Sequence, residues 1–183
     1  MRSVARALER PTRALVAVHL RVPGAGDREL LGLARELRRV TRDAGAKLLV
    51  NRRPDIALVA DADGVHLPES GLPVEAVRSL APRWLVGVSR HDREGLEAAA
   101  GADYAFLSPV HATPGKGAPL GPAGFDALAA QSPVPVIALG GMDAARLREL
   151  RHARGVAVIR AVLHADDPAA EMQAIDLALS DSR

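Results

Sequence analysis

Residues 47–89 read KLLVNRRPDIALVADADGVHLPESGLPVEAVRSLAPRWLVGVS and hold three short apolar or β-branched runs: KLLVN (47–51), GVHL (64–67) and WLVGVS (84–89). Such runs, bounded by Gly, Pro and Asp, have the character of strands, whereas LPVEAVRSL (72–80) spaces its apolar residues as a helix does. The same alternation extends in both directions. Further strands are expected at 14–20, 103–110, 134–141 and 155–162, and further helices at 27–44, 93–100, 124–130, 144–152 and 168–179. Strands followed by helices at a steady spacing of about 20 to 25 residues point to an α/β fold, a (β/α)8 TIM barrel. An open flavodoxin-like sheet, which needs only five or six strands, is the alternative. Residues 1–10 read as the tail of a helix with nothing strand-like before them. The barrel's first strand is therefore either missing or supplied by other means, such as a partner chain, and the edges left open favour a homodimer.

Composition narrows the function. A chain of 183 residues, 48% hydrophobic, can bury one core, so residues 1–183 are expected to form a single domain. The formal net charge is only +2 and aromatics make up 2%, so neither the charge nor the stacking surface of a nucleic-acid binder is present. With no cysteine, a disulfide framework and a thiolate metal site are both excluded. The N-terminal MRSVARALERPTRALVAV lacks the apolar core of a signal peptide and no run approaches a membrane span, which leads us to expect a cytoplasmic protein with no membrane partner.

In a parallel barrel the site forms where the strands end. That rule gathers His19, Arg21, Asn51, Arg52, His66, Ser89, Gly140, Gly141 and Arg160, together with the loop 107–121, LSPVHATPGKGAPLG. The loop concentrates His111, Thr113, Lys116 and glycines, residues suited to anion binding or proton transfer and poorly suited to a core. Of 24 Lys+Arg only Lys47 and Lys116 are lysines, so a lysine in this loop is either kept for its compact, mobile ammonium or is a solvated loop residue. Gly140 and Gly141 end IALGG, where a turn without side chains lets backbone N–H groups approach a phosphate, unless it is simply a tight turn. Arg160, inside the apolar VAVIRAVL, is expected to be a buried strand arginine that needs an anion.

At these residues the chain resembles thiamine phosphate synthase and its relative, the TenI-like thiazole tautomerase. The tracts LLVNRRPDIAL, ADGVHLPESGLP, VGVSRH, DYAFLSPVHATPGKGAPLG, PVIALGGM and GVAVIRAVL stand in that family's order and spacing across roughly residues 10–165. The resemblance implies a (β/α)8 barrel acting on a thiazole phosphate in thiamine biosynthesis. It also implies that Thr113 and Lys116 grip phosphate or carboxylate oxygens, that Ser89 lies near a pyrimidine site, and that His66 belongs to a tract where it packs, hydrogen-bonds or acts.

Several positions depart from the synthase pattern. Its Gln-Leu-Arg-x-Lys, which holds a pyrimidine pyrophosphate, is represented by His19, Arg21 and Pro23. Asn51 is followed by Arg52 where a magnesium-binding Asp is expected, and Gly71 takes the place of a second such Asp. Mg²⁺ requires carboxylate oxygens, and an arginine repels it. Asp55 or Glu69 would be the substitutes. The pattern is therefore expected to be closer to the TenI-like branch: a metal-free, cofactor-free isomerase that aromatises a carboxythiazole ethyl phosphate, with His111 as acid/base and Lys116 assisting. The tautomerase histidine stands two places earlier in that branch, where this chain has Pro109. Arg21, Asn51, His66, Ser89, Thr113, Gly140, Gly141 and Arg160 would bind the substrate. His91, His152 and His164 read as surface residues. The alternatives are a synthase using Mg²⁺ and a non-catalytic thiazole or thiamine phosphate sensor.

Overall fold

Each apolar run of this chain alternates its side chains between two faces, and the two faces serve different ends. The computed structural model describes residues 2–181. In order the elements are α1 (Arg2–Ala7), β1 (Ala17–Leu20), α2 (Asp27–Asp43), β2 (Lys47–Asn51), α3 (Pro54–Val59), β3 (Gly64–Leu67), α4 (Val74–Leu80), β4 (Leu85–Arg90), α5 (Arg93–Glu97), β5 (Tyr104–Leu107), α6 (Gly121–Ala129), β6 (Val136–Leu139), α7 (Ala144–Leu147), β7 (Gly155–Ala157), α8 (Arg160–Leu163) and α9 (Pro168–Asp181). Seven parallel strands lie in chain order, each paired with the next. Among the described residues β1 and β7 do not pair. The α/β fold expected from the sequence is thus a curled half-barrel of TIM-barrel kind rather than a closed eight-stranded ring.

The outward face is the core. Leu48, Val50, Val65, Leu67, Val86, Val88, Ala105, Leu107, Val136 and Ala138 are each at most 1% exposed beneath the helices. They pack with Leu30, Ala34 and Leu37 of α2 and with Ile56, Val77, Leu96, Phe125 and Leu147 in one continuous cluster. Each such aliphatic side chain contributes roughly 1.5–3 kcal/mol of transfer free energy. α2 presents Leu30, Ala34, Leu37 and Thr41 along one stripe, carries Asp27 and Glu29 in its first turn, and gives way at Gly45, where a φ of +69° suits glycine.

The amino ends of the strands are pinned by two aspartates. Asp63 accepts the Leu48 N–H at 2.9 Å and pairs with Arg38 at 2.6 Å and Lys47 at 3.1 Å. Asp103 accepts the Val86 N–H at 2.7 Å and pairs with Arg78 at 2.7 Å. Both tie the start of one strand to a helix, at the end of a barrel that serves stability rather than chemistry.

Several elements differ from their expected bounds. The strand expected at 155–162 ends at Ala157, and Arg160 instead opens α8 and is exposed, so the buried strand arginine is corrected. The backbone leaves the extended region at Ile159 (φ −123°, ψ −75°), and a continuous apolar run does not by itself distinguish strand from helix. α7 ends at Leu147 and gives way to tighter turns through Leu150, after which the Asp126 carboxylate accepts the Arg151 and His152 N–H groups at 3.0 Å. α3 and α8, of six and four residues, have no counterpart among the expected helices. Among the described residues no helix is long and apolar enough to cross a membrane.

Candidate functional site

The inward face of the half-barrel carries a cluster of polar and aromatic side chains from its strands. The strand register brings Asn51, His66, Gly87 and Tyr104 into one row and Ser89, Phe106, Ile137 and Gly155 into the next. His66 is 1% exposed. Its Nε2 lies 2.8 Å from the Ser89 hydroxyl and its Nδ1 3.2 Å from the Tyr104 hydroxyl, one nitrogen donating and the other accepting. Gly87 makes this possible: a Cβ there would fall 2.0 Å from the Tyr104 ring, which lies across the glycine. Phe106 stands 4.3 Å from the His66 ring, and His19 meets His66 edge-on at 4.6 Å.

Burial, then the charges of His19 and Arg90, pushes the His66 pKa down to about 2. Burial and the neighbouring Arg21 lower that of His19 to about 4. The Tyr104 phenol is raised, chiefly by burial and secondarily by Asp103. These groups form a neutral wall of rings near neutral pH. His19 Nε2 is buried without a hydrogen-bond partner, among the described residues.

Cations frame this wall on two sides. Arg21 and Arg52 each follow directly on a strand, β1 and β2, and both are exposed. On the other side lie Lys116, beyond β5, the pair Gly140–Gly141, beyond β6, and Arg160, beyond β7. Among the described residues the side chains of Arg21, Arg52, Lys116 and Arg160 make no hydrogen bond or ion pair within the chain. Gly140 and Gly141 have φ of +103° and +64°, and a Cβ on Gly140 would lie 2.9 Å from Pro109. That close approach holds the 107–121 loop against β6, with Val110 N–H bonded to Leu139 O at 3.0 Å and His111 N–H to Gly140 O at 3.1 Å. The loop closes where Leu120 and Gly121 donate to Pro109 and Val110, both at 2.9 Å.

The expected site residues fall into three groups. His66 and Ser89 meet inside, with Asn51 half-buried beside them in the register. Arg21 stands on one flank. Thr113, Lys116, Gly140, Gly141 and Arg160 lie on the other. Thr113 donates its hydroxyl to the His111 carbonyl at 3.0 Å, and Lys116 is exposed near the loop tip. His111 joins none of the interior ring contacts. Its Cβ backs onto Gly141 and its Nε2, which has no hydrogen bond among the described residues, is 3.9 Å from the carboxylate of Glu149, just beyond α7. Tyr104 and Phe106 are site residues that sequence reasoning passed over. Their signal was the period-two alternation in YAFL, with Ala105 and Leu107 facing the core. His91, set aside as a surface residue, is exposed yet donates from Nδ1 to the Ser108 carbonyl at 2.6 Å, at the root of the loop.

The carboxylates present do not suit a magnesium ion. Asp55 is held by Arg53 at 2.6 Å, which keeps its carboxyl below the usual range, and Asp27 is held by the same arginine at 2.7 Å. Glu69 leans toward α5, its Oε1 3.3 Å from where a Gly95 Cβ would stand. At Gly71 a side chain would begin 2.9 Å from both the ring and the carbonyl of Pro68, across a turn closed by Gly71 N–H to Pro68 O at 2.8 Å. No group of three or more His, Asp or Glu suited to a metal occurs among the described residues.

A curled parallel sheet with a ring-lined interior and cations at its carboxyl rim defines a half-barrel α/β protein of TIM-barrel kind. Residues 1–162 match the thiamine monophosphate synthase family, and the chain belongs to it. It is 45% identical over 166 residues to a putative thiamine-phosphate synthase of Geobacter sulfurreducens, covering 86% of this chain and 78% of that one. With the thiamine-phosphate synthase of Chloroflexus aurantiacus it shares 41% identity over 157 residues, 82% of this chain and 73% of that one. Among solved structures, the thiamine phosphate pyrophosphorylase of Pyrococcus furiosus superposes with a TM-score of 0.87 at 31% identity, over 99% of this chain and 89% of that one. A 3-hexulose-6-phosphate synthase, at 21% identity and a TM-score of 0.66, shares the fold.

Proposed function

We propose that this chain is a transferase that couples hydroxymethylpyrimidine diphosphate to thiazole phosphate, releasing thiamine phosphate and inorganic pyrophosphate. The observation that carries this reading is the division of the rim's free cations between the two ends, or poles, of the strand order, Arg21 with Arg52 after β1 and β2 and Lys116 with Arg160 after β5 and β7. One phosphorylated substrate needs one pole; two need both. The synthase names of the relatives support the same choice. The tautomerase expected from the missing carboxylates becomes the second reading.

In the coupling, the bond from the pyrimidine methylene carbon to the diphosphate oxygen breaks, and its electron pair leaves with the oxygen. The thiazole nitrogen lone pair forms the new C–N bond, and no proton need move. His66, fixed by Ser89 and Tyr104, and Phe106 present a neutral aromatic surface on which the rings are held in line. The Lys116 ammonium, the Gly140–Gly141 turn and Arg160 anchor the thiazole phosphate away from the reacting atoms, so that its binding serves orientation. Incubation with both substrates, followed by oxidation of thiamine phosphate to its fluorescent thiochrome, tests the reading. Product formation above a protein-free control is expected, and its absence at micromolar enzyme would sink the proposal.

The second reading, metal-free tautomerisation of a carboxythiazole phosphate, is favoured by Arg52 and Gly71 standing where metal carboxylates are expected. Its acid/base would be His111 aided by Lys116. Deuterium uptake from D₂O into that substrate, followed by NMR, separates it from coupling: uptake faster than in buffer, abolished in His111→Ala, would establish it.

A further inference from the structure

We propose that Arg52, with Arg21 beside it, forms a guanidinium clamp that receives the diphosphate leaving group in place of a divalent cation. The inference rests on the coupling reading and deepens it. Leu20 is in register with Val50, so the next residues along, Arg21 and then Asn51 and Arg52, emerge side by side at the carboxyl ends of neighbouring strands.

The backbone of Arg52 is held in an unusual state. Its φ is +65°, in the left-handed region that a residue with a side chain seldom occupies, and its N–H is fixed to the His66 carbonyl at 2.9 Å. That bond anchors the turn to the strand whose histidine lies at the centre of the ring wall. The next residue, Arg53, is spent on Asp55 and Asp27 at 2.6 and 2.7 Å. Both nearby carboxylates are thereby neutralised, and the positive charge of Arg52 is left uncompensated at the rim. The second position from which a carboxylate could hold a metal is closed, since a Cβ on Gly71 would lie 2.9 Å from Pro68.

The chemistry suits this exchange. As the carbon–oxygen bond breaks, negative charge accumulates on the departing diphosphate oxygen. A guanidinium offers paired N–H donors in the geometry of two phosphate oxygens, and these bonds strengthen as that charge grows. A divalent cation would neutralise the same charge, but its carboxylate holders are absent here and an arginine occupies the place of one of them. The clamp therefore converts a metal-assisted departure into a hydrogen-bonded one, with bond breaking and bond making unchanged.

The test is calorimetric titration of the purified protein with inorganic pyrophosphate in EDTA. Saturable binding is expected, unchanged within twofold when Mg²⁺ replaces EDTA. Arg52→Gln should weaken it at least tenfold, the loss of one charge-assisted pair. Arg83→Gln, an exposed arginine before β4 at the other end of the sheet, should leave it unchanged, and equal melting temperatures establish that both variants are folded. Binding that requires Mg²⁺, or that survives Arg52→Gln, overturns the clamp. The coupling assay separates the two proposals. Coupling that persists in EDTA and falls at least tenfold in Arg52→Gln supports the clamp, and coupling abolished by EDTA overturns it while leaving the coupling reading intact. Arg52-dependent, metal-free pyrophosphate binding without any coupling sustains the clamp and sinks the coupling reading.

Discussion

His66 shows what a single residue contributes to this molecule. Its two ring nitrogens face two hydroxyls, and its protonation is opposed first by burial and then by the neighbouring His19 and Arg90. Both His66 and His19 have folded pKa values, about 2 and about 4, below the ordinary 6.5. The unfolded chain therefore binds more protons below pH 6.5. The stability these residues contribute is complete above 6.5 and is lost as pH falls from there toward 4 and then 2. The denaturant midpoint should decline between pH 7 and pH 4.5, each histidine contributing at most about 1.4 kcal/mol per pH unit. His66→Asn should flatten the decline, and an equal midpoint at pH 7 and pH 5 would contradict the neutral ring wall. Gly140 is a second residue with a defined burden. Alanine there must accept a φ of +103° and a contact of 2.9 Å with Pro109, so Gly140→Ala should cost about 2 kcal/mol in thermal unfolding. Neither residue's part in the site was fully readable beforehand. The glycine pair and His66 were visible as residue types at strand ends, but the partners of His66 depend on strand register, which a chain of short apolar runs does not reveal.

At the scale of elements, the legible parts were those whose pattern is long or whose ends are marked. α2, with its apolar stripe and its closing glycine, occupies almost the whole expected span. β2 and β3 lie where KLLVN and GVHL placed them, between Gly, Asp and Pro boundaries. Short segments apolar on every side were not legible, because neither period can be measured over a few residues. PDIALV became α3, and the end of VAVIRAVL became α8, carrying Arg160 from the expected interior to the exposed rim. The elements are also joined in ways no period foretells. Asp63 connects α2, β2 and the start of β3, and although burial opposes its charge, the Leu48 N–H, Lys47 and Arg38 outweigh that and keep its carboxyl below the usual range. Asp63→Ala leaves Arg38 and the Leu48 N–H without their acceptor and should destabilise the protein by about 2–4 kcal/mol in urea denaturation. Asp63→Asn keeps an acceptor for Leu48 and should cost less. Equal losses in the two variants would mean that the ion pairs, not the strand tie, carry the effect.

At the scale of the whole molecule, the order of the strands sorts the rim cations that we assign to the two phosphorylated substrates, Arg21 with Arg52 after β1 and β2 and Lys116 with Arg160 after β5 and β7. The sequence disclosed both poles as scattered polar residues at strand ends. It did not disclose which of them share an end of the sheet, which follows from the order of the strands. If the poles act independently, a change at one should leave the other's substrate untouched. Arg160→Gln should raise the KM for thiazole phosphate about tenfold and leave that for the pyrimidine diphosphate within twofold, as expected for one charge-assisted phosphate contact. Arg21→Gln should do the reverse. The comparison also discriminates between local contacts and a general attraction, because a shared positive field would lower both affinities together and fade as salt is raised. Steady-state kinetics with each substrate varied in turn, at 20 and 300 mM salt, decides between them. Paired rises in both KM values in either variant would show that the rim acts as one electrostatic surface, and the assignment of one substrate to each pole would then fall.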